Sequence, residues 1–108
     1  MGALDLLNVK VRSVIREFGY SRLTKVQEKA IPYIIRGFNT LIVAPTGSGK
    51  TEAALFPVYS LALKCLNEKG ILILYITPLR ALNRDILRRM SNIATKLEIK
   101  VYNMLADT

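Results

Sequence analysis

Residues 40–51 read TLIVAPTGSGKT, and the expected fold turns on them. TLIVA (40–44) is a short apolar run with β-branched residues, which predicts a buried strand. Across 44–51 the pattern G-x-x-x-x-G-K-[ST] is met at every fixed position but the first, where Ala44 replaces Gly. A small residue can serve there, where the strand ends. Gly47 and Gly49 let the chain take positive φ or approach phosphates without a Cβ clash. Backbone N–H groups then point inward as an anion nest, backed by the N-terminus of the following helix. Lys50 is placed to reach β and γ phosphates, and the Thr51 hydroxyl to ligate Mg²⁺. The alternative is a Gly/Ser-rich turn followed by a chance Lys-Thr. A strand before the loop and a helix after it weigh against that alternative.

Outward from the loop, a helix is expected over 50–67, with Pro57 a local irregularity, and a turn over 67–70. ILILYI (71–76) predicts a second buried strand. Leu79, Leu82, Ile86, Leu87, Met90, Ile93, Ala94 and Leu97 trace one face of an amphipathic helix. EIKVYNML (98–105) predicts a third strand. Upstream, Leu4, Leu7, Val11, Val14, Ile15 and Phe18 predict a helix over 4–18, ended by Gly19 at C′. A second helix is expected to start at Thr24, to break or re-nucleate at Pro32, and to stop at Gly37. After two leading helices the order is strand, helix, strand, helix, strand. That alternation predicts an α/β fold with a parallel sheet and right-handed crossovers. Ligands of such sheets sit beyond the carboxyl ends of the strands, where loop 44–51 lies.

The whole chain is consistent with one domain. It has 108 residues, 51% hydrophobic and 22% charged, a globular balance with no repeat or low-complexity tract. The longest mainly apolar stretch, 53–63, is too short and interrupted to span a bilayer. MGALDLL has no basic region ahead of an apolar run, so it does not read as a secretory signal. Leu6 stands where a myristoylation pattern wants Ser or Thr. One cysteine, Cys65, forms no internal disulfide and fits a reducing, cytoplasmic setting. With no His, the usual zinc ligand sets are excluded. Sixteen Lys and Arg against eight Asp and Glu leave a net charge of +8. Such a balance suits nucleic acid or an anionic membrane surface, and equally a soluble protein with a basic face.

Two weaker signals flank the loop. Thr24 and Gln27 have the spacing of a capping box, Thr at N-cap and Gln at N3. The functional reading is that the Gln27 amide offers both a donor and an acceptor, as an adenine edge requires. Tyr20 adds an apolar or stacking surface. Downstream, Arg80, Arg84 and Arg88 are spaced by four and form a stripe opposite the apolar face. Because that stripe begins at the ligand end of the second strand, Thr77, Pro78 and Arg80 are candidates to meet a sugar-phosphate backbone. The plain reading is a solvated helix face, and Asp85 has the spacing to pair with Arg89.

In this order the pieces resemble the first motor domain of superfamily 2 helicases. GYSRLTKVQ is similar to the Q-motif region (about 18–27), APTGSGKT to motif I (44–51) and TPLRAL to motif Ia (77–82). ILYITPLRALNRDILRRM, with QEKAIP upstream, is most similar to the large helicase-related (Lhr) branch, and more distantly to the DEAD-box pattern. The resemblance covers nearly all of 15–108 and implies a RecA-like P-loop fold. It implies that Gln27 reads adenine, with Tyr20 and Thr24 framing the pocket. Thr46, Gly47, Ser48, Gly49, Lys50 and Thr51 would hold the ATP phosphates and Mg²⁺, with Lys50 and Thr51 the catalytic members. Thr77, Pro78, Arg80 and Arg84 would contact single-stranded DNA or RNA.

Hydrolysis also needs a carboxylate on a later strand. No Asp-Glu pair occurs anywhere in the chain, and the late candidate is Asp107. The resemblance therefore implies the front part of a motor domain, without motif II or the second RecA-like domain, able to bind but not to turn over nucleotide. The competing expectations are a non-catalytic basic nucleic-acid-binding module and a fragment of another P-loop protein.

Overall fold

The computed structural model describes residues 2–78 and 83–103. Among these, four α-helices form: α1 (Val9–Glu17), α2 (Lys25–Ile35), α3 (Lys50–Ala62) and α4 (Arg84–Lys96). A 3₁₀ turn, Ala3–Leu6, precedes α1, and another, Leu63–Cys65, extends α3. The helix expected over 4–18 is thus two elements. Asn8 divides them, because its side chain caps α1 by accepting from the Lys10 amide at 2.8 Å. The inward face is nevertheless the expected one, with Leu7, Val11 and Ile15 buried.

Three helices end in the same device. Gly19 (φ +95°) closes α1, its amide bonding to the Arg16 carbonyl while that of Tyr20 bonds to Ile15. Gly37 (φ +86°) closes α2 in the same pattern, with Phe38 bonding back to Tyr33. Glu98 (φ +64°) closes α4 likewise, its amide bonding to the Thr95 carbonyl and that of Ile99 to Ala94. These are Schellman closures, and only a residue free of a Cβ takes the left-handed turn without cost. The first of them sets the direction in which Tyr20 leaves α1.

Neither internal proline breaks its helix. Pro32 sits within α2 and Pro57 within α3. An interior proline costs about 3 kcal/mol through its missing N–H and its ring. Here tertiary burial outweighs that cost: Ile31 and Phe56 are fully buried, and so is Pro57 itself. α3 is the central helix, packed against α1, α2 and α4. Its apolar residues face every side, with Ala53, Leu55, Phe56, Tyr59 and Ala62 all buried. Val11 and Ile15 from α1, Ile31 from α2, and Met90, Ile93, Ala94 and Leu97 from α4 complete the core. Fully burying one such side chain is worth about 1.5–3 kcal/mol.

The parallel sheet is where sequence and structure part. Runs 40–44, 71–76 and 98–103 carry no strand among the described residues, and positions 104 and 105 of the third run lie outside them. A strand exists only as a member of a ladder. These three runs exchange no backbone hydrogen bonds with one another among the described residues. Ile73 and Ile99 pack against the core, whereas Leu41 and Val43 are each 88% exposed and Ile71 and Ile76 each 82%. The apolar pattern predicted burial on both faces, whereas among the described residues of these runs the core contacts come from Ile73 and Ile99.

Candidate nucleotide site

α3 begins at Lys50, directly after the loop, with Gly49 as its N-cap at φ +86°. Gly47 also takes positive φ, +84°. The loop is folded onto itself. The Ser48 hydroxyl donates to the Pro45 carbonyl at 2.6 Å, and the Ser48 amide donates to the same carbonyl at 3.2 Å. Lys50 reaches back so that its Nζ donates to the Ala44 carbonyl at 2.7 Å, while remaining exposed. A phosphate oxygen at the helix N-terminus is a stronger, charge-assisted acceptor than that carbonyl, so the lysine is poised to exchange partners.

The capping box expected at α2 is present, and it does more than cap. Thr24 Oγ1 accepts from the Gln27 amide at 3.3 Å, and Gln27 Oε1 accepts from the Thr24 amide at 2.9 Å. The same two side chains then reach the loop. Thr24 Oγ1 donates to the Ser48 carbonyl at 2.8 Å, and Gln27 Nε2 to the Gly49 carbonyl at 3.3 Å. Gln27 is 2% exposed, so these bonds are made in a dry setting where an unmet amide is costly. A Cβ on Gly49 would collide with Gln27 Nε2, which fixes glycine there twice over. The capping and functional readings of Thr24 and Gln27 are therefore not exclusive. The pair straps the loop to α2, and the Gln27 amide keeps one N–H and one lone pair beyond those bonds.

Beside the strap lies a cavity of about 530 Å³. Its lining brings together Tyr20, Thr24, Gln27, Thr46, Gly47, Gly49, Lys50 and Thr51, all expected from the sequence as nucleotide-site residues, and also Thr77, expected as a nucleic-acid contact. Ser48 meets the strap through its carbonyl. Pro78 and Arg84 are exposed and outside the lining, while Arg80 and Asp107 fall outside the described residues. The volume is within the usual range for small-molecule sites, and the polar side chains converge from three segments. A helix N-terminus, a lysine and a threonine hydroxyl on one wall suit a magnesium-bound triphosphate. A smaller hollow of about 220 Å³ between Lys10, Ser13 and Lys96 contains none of these residues.

Two neighbours of the site escaped sequence reasoning. Glu52 is 8% exposed, and its Oε2 accepts from the Tyr20 hydroxyl at 3.0 Å. Arg89 Nη1 donates to that same hydroxyl at 3.3 Å, with the guanidinium 5.7 Å from the ring centroid. The Asp85 partner that spacing offered to Arg89 is not among the ion pairs of the described residues. Burial holds the Tyr20 phenol above its ordinary value, with the Arg89 hydrogen bond pulling the other way. The phenol stays protonated and so can donate to Glu52 while accepting from Arg89. The signal that could have found Glu52 is its place, an acid in the first turn of a helix beside a phosphate loop.

Residues 24–108 match the family model described as DEAD/DEAH box helicase. The chain belongs to that family. Over 99 residues it is 40% identical to the ATP-dependent helicase Lhr-Core of Sulfolobus acidocaldarius, a match covering 86% of this chain and 11% of that protein. It is 44% identical over 75 residues to the Lhr-Core helicase of Methanocaldococcus jannaschii, covering 66% of this chain and 9% of that protein. An ATP-dependent RNA helicase of Candida albicans is 46% identical over 70 residues, covering 63% of this chain and 12% of its own length. The chain thus spans about a tenth of the length of these relatives. The DEAD/DEAH box match starts at Thr24, the N-cap that carries the strap, and takes in the loop, α3 and α4. At the coarse level the family carries a RecA-like P-loop fold. The described residues display its loop-and-helix part and leave the sheet unformed.

Proposed function

We propose that residues 1–108 are the nucleotide-gripping part of the first RecA-like domain of a cytoplasmic, ATP-dependent DNA or RNA helicase. The segments are the Q-motif region (about 18–27), motif I (44–51) and motif Ia (77–82). One observation carries the reading: Thr24 and Gln27 hold the carbonyls of Ser48 and Gly49 beside a cavity that Lys50 and Thr51 line. In this reading Lys50 leaves the Ala44 carbonyl for the β and γ phosphates. Thr46, Gly47, Ser48 and Gly49 wrap the phosphates with backbone N–H groups. Thr51 would hold Mg²⁺, which supplies neutralisation of phosphate charge when bound. Gln27 reads the adenine edge with its remaining donor and acceptor, framed by Tyr20 and Thr24. Thr77, Pro78, Arg80 and Arg84 would contact a single strand in this reading. With no Asp-Glu pair in the sequence, this chain binds ATP but turns over almost none.

The test is nucleotide binding to the 108-residue chain followed by fluorescence. Lys50→Ala should abolish ATP–Mg²⁺ binding, and ATP should bind at least about 10-fold better than GTP, a difference of ~1.4 kcal/mol. Gln27→Ala should erase that preference. Equal ATP and GTP affinity in the wild type would remove the adenine role from Gln27. Rapid Lys50-dependent hydrolysis would overturn the binding-only assignment.

A further inference from the structure

Glu52 has no part in the function proposed above, yet it occupies an expensive position. It is a carboxylate 8% exposed, one residue past Thr51, on the wall of the nucleotide cavity. A buried charge is tolerated when it is paired and hydrogen-bonded, and destabilising when its partner is removed. Its hydrogen-bond donor is Tyr20, which follows the Schellman closure of α1 and lines the same cavity. Tyr20 is wedged edge-on against Phe56 of α3, ring centroids 5.0 Å apart at 77°. It is half-buried and packs against the outside of the core, so moving it exposes the edge of Phe56.

The bridge continues past Tyr20. Arg89 comes from α4, 69 residues along the chain, and meets both the hydroxyl and the ring face. Its neighbours Arg84 and Arg88 are exposed on the same helix. Arg89 is therefore a tether, whereas Arg84 and Arg88 are left for a polyanion. The line Glu52–Tyr20–Arg89 ties the helix that carries Lys50 and Thr51 to the helix that carries the basic stripe.

We propose that Glu52 and Arg89 are positioning residues that, through Tyr20, couple nucleotide binding at the start of α3 to single-strand binding along α4. The inference rests on the proposed function, since it needs both ligands. Anything that shifts the first turn of α3 shifts the Glu52 carboxylate and, through the phenol, the Arg89 guanidinium on α4. Because such coupling is reciprocal, each ligand must change the affinity of the other by the same factor.

The experiment measures fluorescent ATP–Mg²⁺ binding to the 108-residue chain with and without a saturating single-stranded oligonucleotide. In the wild type the oligonucleotide should change nucleotide affinity by at least about 5-fold. Arg89→Gln, at an exposed position, and Glu52→Ala should bring that factor to within about 2-fold of unity. Glu52→Gln keeps an acceptor for the Tyr20 hydroxyl and should restore most of it. Arg89→Gln should also leave the salt dependence of oligonucleotide binding unchanged, whereas Arg88→Gln lowers its slope by about 0.7 as one phosphate contact is lost. A factor that survives both Arg89→Gln and Glu52→Ala, a wild-type factor of one, or an Arg89→Gln slope that falls like that of Arg88→Gln overturns the bridge. Nucleotide binding indifferent to Lys50→Ala instead sinks the nucleotide-site reading, so the two failures are distinct.

Discussion

Gly49 is held by two independent constraints, and they belong to different physics. Its φ of +86° is open to glycine without strain, and its missing side chain is the space that Gln27 Nε2 fills. Gly47 has the first constraint without the second, since a Cβ there would meet nothing. The two glycines of the loop should therefore respond differently. Gly47→Ala costs about 1–2 kcal/mol of backbone strain alone. Gly49→Ala adds the loss of the Gln27 strap, for a total of about 2–4 kcal/mol with the lost hydrogen bond included. Thermal unfolding of the two variants checks the ordering, and equal costs would mean that the strap contributes nothing to the native state.

At the scale of elements, α3 and α4 are joined by more than apolar packing. The Tyr59 hydroxyl donates to the Met90 carbonyl at 2.9 Å, and Tyr59 is 5% exposed. Burial, with a smaller contribution from Tyr75, pushes the Tyr59 phenol far above its ordinary value of 10.0. The folded state thus favours the protonated form. The stabilisation is fully present below the unfolded value and is lost as pH rises through it towards the folded one. Tyr59→Phe should cost about 1 kcal/mol near neutral pH. Between about pH 9 and 11.5 the wild type should lose more stability than the variant, so that the two unfolding midpoints converge. A constant gap across that range would show that the hydroxyl is not buried as described. The helices also teach something about prolines. Pro32 carried the expectation of a break and Pro57 that of a local irregularity, and both helices run through because the residues around them are buried. Local propensity states a cost of about 3 kcal/mol, and the neighbourhood decides whether that cost is met.

At the scale of the whole molecule, the exposed apolar runs are the main liability. Leu41, Val43, Ile71, Leu74 and Ile76 are all more than 70% exposed and come from segments with no ladder partner among the described residues. Exposed apolar residues on unpaired backbone are a template for association. The purified chain should associate as its concentration rises, and light scattering should fall when Leu41 and Ile76 are changed together to Lys. Far-UV circular dichroism separates a gain in solubility from a loss of fold. A monomer at high concentration in the wild type would contradict this expectation.

What the sequence determined by itself was local. APTGSGKT announced its loop, because positive φ and a helix N-terminus depend on residue type and spacing alone. The inward faces of α1 and α4 followed from period, and Gly19, Gly37 and Thr24 marked helix ends through their own backbone chemistry. Membership of the DEAD/DEAH box helicase family agrees with the order of those motifs. What only the tertiary structure decided involved partners far apart in the chain. Gln27 reaches Gly49 across 22 residues, Tyr20 reaches Glu52 across 32, and Arg89 reaches Tyr20 across 69. No periodicity encodes such meetings, since they depend on how whole helices pack. The sheet is the part of the expected fold that the described residues do not form, for a related reason. An apolar run states that a segment favours burial, but a strand also needs a neighbour to pair with, and among the described residues runs 40–44, 71–76 and 98–103 do not supply one to each other.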